Sequence, residues 1–272
     1  MEIIEANRKT CIKDGICAAT CPGGLISFKP DDYPQPGPNL EKACTICGHC
    51  VAVCPTGSLN HREMPSDKCT PILKSLDITI AQIEQFLKSR RSLRAIKTKP
   101  VPRETIVKLI DIARYAPTGH NWQEVKWLVI DNKEELDRIR KVGLDWMRWA
   151  ITKQPKIADA LELERVLKRC ESGIDEFLRN APALILAYAD KSHGTAPEDC
   201  TSALTYFDLA ARSLGLGCCW AGFVKVASST YPPMMETLAI PAGHVFGCMM
   251  LGYPQFHYRR IPLRKQPLIS WR

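Results

Sequence analysis

The sequence predicts an α+β protein in two parts. Two observations carry this. Seven of thirteen cysteines fall within the first 54 residues, at 11, 17, 21, 44, 47, 50 and 54, in a stretch punctuated by Gly and Pro. Beyond residue 77 the texture changes to apolar residues at helical spacing, broken by a few short apolar runs suited to strands. The boundaries expected from this change are a small domain over 1–65, a linker over 66–76 and a larger domain over 77–272, its central mixed sheet flanked by helices.

In the larger part, Ile80, Ile83, Phe86 and Leu87 recur on one helical face, with Asp77 as the expected N-cap. Pro102-Arg103-Glu104 opens a second helix carrying Ile106, Leu109, Ile110 and Ala113. Val125–Ile130 reads as a strand, Asn132–Trp149 as a helix, and so does much of Lys156–Arg179. Ala183–Ala189 is a buried strand, Glu198–Leu214 a helix and Val245–Leu251 the last strand.

Apolar residues make up 45% of 272, enough for a sizeable core. The net charge of +8 is uneven: residues 1–70 hold seven Lys/Arg and eight Asp/Glu, while the remainder holds thirty and twenty-one. Such a basic domain suits anionic partners. No nucleic-acid signature accompanies it, so nucleic acid is not expected. The opening MEIIEANRKT has no basic start followed by an apolar segment, and the longest apolar run is too short to span a bilayer. A cytoplasmic protein without a membrane segment is therefore expected. An odd, front-loaded set of cysteines does not suit a disulfide framework, and thiolates at short spacing read as metal ligands.

The second cysteine group is Cys44-x₂-Cys47-x₂-Cys50-x₃-Cys54-Pro55. Three thiolates on one tight loop reach three irons of a cubane, and the fourth points to a second cluster. A zinc site needs only four tetrahedral sulfurs, and the closing Cys-Pro speaks against it. The first group, Cys11, Cys17 and Cys21 followed by Pro22, repeats the run with Asp14 in place of its second cysteine. The stretch over about 1–65 resembles the two-cluster bacterial ferredoxins. The resemblance implies that Cys21, Cys44, Cys47 and Cys50 hold one 4Fe–4S cluster, and that Cys11, Cys17 and Cys54 hold the other with Asp14 at its fourth iron. Carboxylate is a harder ligand than thiolate. Asp14 binds that iron weakly, leaves it to water or added thiol, or yields a three-iron cluster; equally, Asp14-Gly15 simply makes a turn. Cys69 is a further, weaker candidate for the vacancy.

Three stretches of the larger part resemble the nitroreductase family of FMN enzymes. In SRRSLR (Ser89–Arg94), Arg90, Ser92 and Arg94 fit its R-x-S-x-R pattern. Paired guanidinium donors suit a phosphate monoester, although a basic helix end alone would look the same. In APTGHNWQ (Ala116–Gln123), Pro117, Thr118, Gly119, Asn121 and Gln123 match the loop that meets the flavin ring. In LGLGCCWAGF, Cys219, Trp220, Ala221 and Gly222 match the segment beside the ring, and in LGYPQFHYRRIP, Arg260 matches a phosphate ligand, ahead of Arg259 and Arg264. Cys218 and Cys219 equally read as small core residues. Ala221 stands near where several relatives carry a carboxylate, and no residue is a convincing general acid. The catalytic proton donor is thus unassigned.

The resemblance implies an FMN-dependent oxidoreductase, homodimeric with flavin at the subunit interface. It would pass electrons between 4Fe–4S clusters and FMN to reduce a small electron-poor substrate such as a nitroaromatic, quinone or enone. The donor would be a ferredoxin or NAD(P)H, although no Gly-rich dinucleotide fingerprint follows a strand. The alternative is a non-enzymatic redox sensor or electron relay. His49 is expected to tune the cluster loop, and His120 is a weaker candidate for the substrate pocket. His193, His244 and His257 read as surface or turn residues, and Trp146 and Trp149 as core or interface.

Overall fold

The computed structural model describes residues 2–272. Its contacts divide the chain into two units, Met1–Ile78 with His120–Trp122, and Thr79–Gly119 with Gln123–Arg272. The first unit thus extends past the expected boundary at 65 and takes in the expected linker, where Ser66–Lys68 and Lys74–Leu76 form single 3₁₀ turns.

The first unit contains β1 (Ile4–Ala6), α1 (Ile16–Ala19), β2 (Ile26–Ser27), β3 (Gln35–Pro36), α2 (Leu40–Ala43), α3 (His49–Ala52) and β4 (Leu59–His61). Strands β1 and β4 pair antiparallel, as do β2 and β3. The two cysteine runs lie 33 residues apart, and the backbone repeats with them. Left-handed φ recurs at Lys13 (58°) and Ile46 (52°), at Gly15 (72°) and Gly48 (75°), and at Gly24 (60°) and Gly57 (61°). Each loop then enters a one-turn helix, α1 or α3, from its glycine. A side chain at Gly48 would be strained by its φ and would press on Met64 Sδ, 2.6 Å from an added Cβ. Ile46 is β-branched and still left-handed, a conformation costing about 1–3 kcal/mol that the surrounding loop must impose.

The second unit contains α4 (Ile80–Lys88), β5 (Ile96–Lys97), α5 (Arg103–Ala113), β6 (Lys126–Ile130), α6 (Lys133–Lys153), α7 (Pro155–Ala160), α8 (Leu163–Glu171), β7 (Ala183–Asp190), α9 (Ala196–Ser213), β8 (Gly217–Trp220), α10 (Gly222–Thr230), α11 (Pro232–Leu238) and β9 (His244–Pro254). Thr79, not Asp77, caps α4. Its hydroxyl accepts from the Gln82 N–H while the Gln82 side chain accepts from the Thr79 N–H, a reciprocal capping box.

The sheet runs β5-β9-β7-β6, with β8 also on β9. The sheet was expected to be mixed, but every pairing among the described residues is antiparallel. The cause is the return of the helical excursions α6–α8 and α10–α11 to the end of the sheet they left, so that each following strand runs back against its neighbour. Helices cover both faces. Along β7, Leu184 and Leu186 join one core with Trp146, Met147 and Leu163, and Ile185 and Ala187 join the other with Leu109, Leu204 and Phe207. The two-residue alternation of a strand therefore supplies both cores, which explains why Ala183–Ala189 is apolar throughout.

Candidate functional site

In the first unit the eight expected cluster residues fall into two groups. Cys50 lies close enough to Cys47, Cys44 and Cys21 to interact electrostatically with each, and burial pushes its thiol up to about 11. Cys17 interacts in the same way with Asp14 and Cys54, again with burial as the main upward influence. Cys11, Asp14, Cys17 and Cys54 together line one small cavity.

The backbone supplies sulfur partners at repeated positions. The Leu25 N–H donates to Cys21 Sγ at 3.4 Å, and the Ser58 N–H donates to Cys54 Sγ at 3.2 Å. Burial raises the Cys54 thiol, but hydrogen bonds from the Leu59, Ser58 and Thr56 backbone and the Thr56 side chain outweigh burial and leave it lowered. Such donors stabilise thiolate ligands, so the residues fit iron–sulfur clusters. Asp14 serves its turn as well: its Oδ1 accepts from the Ile16 N–H at 3.3 Å. Cys69 is exposed, and its thiol donates to the Pro65 carbonyl.

One histidine that sequence reasoning passed over lies at this site. His61, at the end of β4, is buried, and its Nε2 stands 3.6 Å from Cys44 Sγ. Its Nδ1 accepts from the Glu63 N–H at 3.1 Å. Burial lowers its pKa below the ordinary imidazole value.

In the second unit, Ser89–Arg94 runs beside β8, where the Leu93 N–H donates to the Cys218 carbonyl at 2.9 Å. This brings Arg94 and Arg90 near Cys219, joined by Arg179. Burial raises the Cys219 thiol while the three guanidiniums pull it down. Arg90 pairs with buried Asp208, Nη1 to Oδ2 at 3.4 Å. Burial raises the Asp208 carboxyl above its ordinary value of 3.8, against the opposing pull of Arg90. The guanidiniums concentrate positive charge around Cys219 in β8, which suits a phosphate. Arg260 lines a cleft of about 810 Å³ with Arg212 and Arg259 that also takes in Ser89, Arg91 and Gly217.

After Trp220 the chain turns through Ala221 into α10. Trp220, Ala221 and Gly222 open on a mostly apolar cleft of about 420 Å³, shared with Lys225, Phe246 and Gly247. Its size suits a flat aromatic ligand. An added Cβ at Gly222 would meet nothing within 4 Å, so the cleft is open there. Cys218 and Cys219 are buried, and burial pushes the Cys218 thiol far up.

The loop over 117–123 is held from beneath. Thr118 Oγ1 accepts from the Gln123 N–H at 3.1 Å. Buried Asp199 accepts from the Gly119 N–H at 3.1 Å and from the Thr195 hydroxyl at 3.0 Å. Asn121 belongs to the first unit, where its amide donates to the Thr45 and Ile46 carbonyls at 3.1 and 3.0 Å. Asp199 and Asp208 carried no motif. Their one sequence signal is an acid on the otherwise apolar, inward face of α9.

Among the described residues no helix is long and apolar enough to cross a membrane. Comparison with known proteins agrees with the two-unit division. The nitroreductase family model matches residues 87–253, more than half of the chain, and a 4Fe-4S dicluster domain model matches residues 10–58. The chain is 29% identical, over 62% of its length and 76% of the relative's, to a Methanothermobacter thermautotrophicus protein provisionally named NADH dehydrogenase/NAD(P)H nitroreductase. The fold is similar to a Bacteroides fragilis nitroreductase with bound FMN, at 22% identity and a TM-score of 0.53, covering 70% of this chain and 99% of that one. It is likewise similar to a Desulfitobacterium hafniense nitroreductase with bound FMN, at 23% identity and a TM-score of 0.54, covering 70% and 96%. The chain therefore belongs to the nitroreductase family, with an N-terminal 4Fe–4S dicluster domain.

Proposed function

We propose that this protein is an FMN-dependent oxidoreductase that moves electrons between its clusters and a flavin to reduce a small electron-poor substrate. The observation that carries the reading is the pairing, in one chain, of two thiolate groups with a nitroreductase unit whose guanidiniums gather at Cys219. When bound, the clusters supply one-electron transfer and the flavin links single electrons to two-electron chemistry.

The chain's own residues bind and orient. Arg90 and Arg94, with Ser92 between them in sequence and Arg179 nearby, are the proposed phosphate holders, with Asp208 fixing the guanidinium of Arg90. Trp220, Ala221 and Gly222 line the cleft proposed for the ring. The loop carrying Pro117, Thr118, Gly119 and Gln123 is proposed to meet the ring's polar edge with neutral amide and backbone groups, and Asp199 holds its backbone. Arg260 and Asn121 join this set only as proposals from the family pattern. A nitroaromatic, quinone or enone would take two electrons and protons. The donor would be a ferredoxin or NAD(P)H, the latter matching the name of the Methanothermobacter relative.

A homodimer is part of the reading. The tail beyond β9 leaves Leu263, Leu268 and Trp271 almost fully exposed, apolar surface that a second subunit would cover. Asp14 favours one other reading, a redox sensor or relay, because an irregular ligand suits sensing. The test is stopped-flow reoxidation of the anaerobically reduced holoprotein. Fast reoxidation by one class of small acceptor supports the enzyme. Reoxidation only by a protein partner refutes it in favour of the relay.

A further inference from the structure

We infer that His61 is a potential-setting residue: its Nε2–H donates to Cys44 Sγ and makes the cluster held by Cys21, Cys44, Cys47 and Cys50 easier to reduce. The inference rests on the cluster assignment above and goes beyond it by naming a residue outside the ligand set that tunes one cluster.

The direction of the bond is fixed by geometry. Nδ1 is spent as an acceptor for the Glu63 N–H at 3.1 Å, so the ring proton sits on Nε2, which stands 3.6 Å from Cys44 Sγ. The ring is buried, and the pairing of β4 with β1 at Ile4↔His61 fixes its backbone. It does not drift into water.

The internal repeat supplies the comparison. A backbone N–H meets Cys21 from Leu25 and Cys54 from Ser58, equivalent positions 33 residues apart, and further backbone donors meet Cys54, Cys17 and Cys50. The position equivalent to His61 is Phe28, which has no proton to give. Its ring instead packs on the Gly15 loop, where an added Cβ would lie 2.5 Å from Phe28 Cε1. One other side chain is near a sulfur at the Asp14 site, Thr56, whose hydroxyl oxygen is 3.7 Å from Cys54 Sγ. Hydrogen bonding from Thr56 lowers the Cys54 thiol, so each site has its own side-chain neighbour at a sulfur, and His61 is the one at Cys44. A donor to a ligand sulfur stabilises the added negative charge of the reduced form and raises the potential.

The test is an EPR-monitored redox titration of the full-length holoprotein, with iron and sulfide measured on every sample. His61→Phe is expected to lower the reduction equilibrium constant of that cluster about tenfold, roughly 59 mV for a one-electron couple. His61→Gln, which keeps a donor, is expected to stay within about threefold of wild type. A phenylalanine variant within twofold of wild type, or equal losses in both variants, overturns the inference. A second measurement needs no change at His61. Pulsed EPR of the reduced cluster in ¹⁵N-histidine-labelled His49→Gln protein should show a weak ¹⁵N coupling, and its absence overturns the inference. Wild-type protein that holds no iron removes the cluster assignment itself, an outcome distinct from an assembled cluster whose potential does not move.

Discussion

Replacing Asp199 by alanine should loosen the loop over 117–123 and destabilise the second unit. Asp199 is 7% exposed and accepts two hydrogen bonds, from the Gly119 N–H at 3.1 Å and the Thr195 hydroxyl at 3.0 Å. Bonds to a charged acceptor are worth about 1.5–3 kcal/mol each, and truncation strands a backbone donor that has no other partner in the loop. The loop has little room to adjust toward Thr195, because even a Cβ on Gly119 would fall 2.2 Å from Thr195 Oγ1. A loss of about 3 kcal/mol is therefore expected for Asp199→Ala, equivalent to roughly 6–12 °C in melting temperature for a unit of this size. Asp199→Asn keeps an acceptor for Gly119 and offers its amide to Thr195, so it should cost no more than about 1 kcal/mol. The assay is thermal unfolding of the holoprotein by circular dichroism, with flavin fluorescence following release from the same samples. The alanine variant should also release flavin at lower temperature. A melting temperature within about one degree of wild type would refute the reasoning.

Three further outcomes follow from the same geometry. Arg94→Gln removes a cation from the cluster of guanidiniums near Cys219; flavin affinity should fall about tenfold to a hundredfold, read by fluorescence titration of the deflavinated protein, and unchanged affinity would place the phosphate elsewhere. Burial raises the folded-state pKa of Asp208 above 3.8, so the folded chain binds more protons there than the unfolded one, and this group's contribution to stability falls as pH rises from about 4 through the raised value. Asp208→Asn should therefore gain melting temperature relative to wild type between about pH 4.5 and 7, and a difference that shrinks over that range would contradict the sign. Asp14→Cys restores the motif's second thiolate; iron per chain should rise to about eight if wild type falls short, and a wild type already at eight in a tightly held form would show the fourth iron accommodated without that sulfur.

The cysteine motif was legible because cluster chemistry fixes thiolate spacing, and the repeat follows from it. The apolar run at β7 was legible because a strand buried on both faces has no polar positions. The capping box at Thr79 and Gln82 was present in the sequence but masked by Asp77, a good cap two residues too early. His61, Asp199 and Asp208 were not legible. Each acts through a partner distant in the chain: Cys44 lies 17 residues from His61, Gly119 lies 80 from Asp199, and Arg90 lies 118 from Asp208. Motif spacing does not encode such pairings, and an acid on a helix otherwise reads as a solvated one. The strand directions were hidden for a related reason, because a helical connection has the same sequence pattern whether it crosses the sheet or returns to the end it left.

The central claim, that one chain carries both clusters and a flavin, is tested most directly by measuring iron, acid-labile sulfide and FMN on one anaerobically purified sample. The account predicts one FMN per chain and about eight irons with matching sulfide, or about seven if the Asp14 site holds three. Folded protein without FMN would contradict the flavoenzyme reading, and folded protein without sulfide would contradict the clusters.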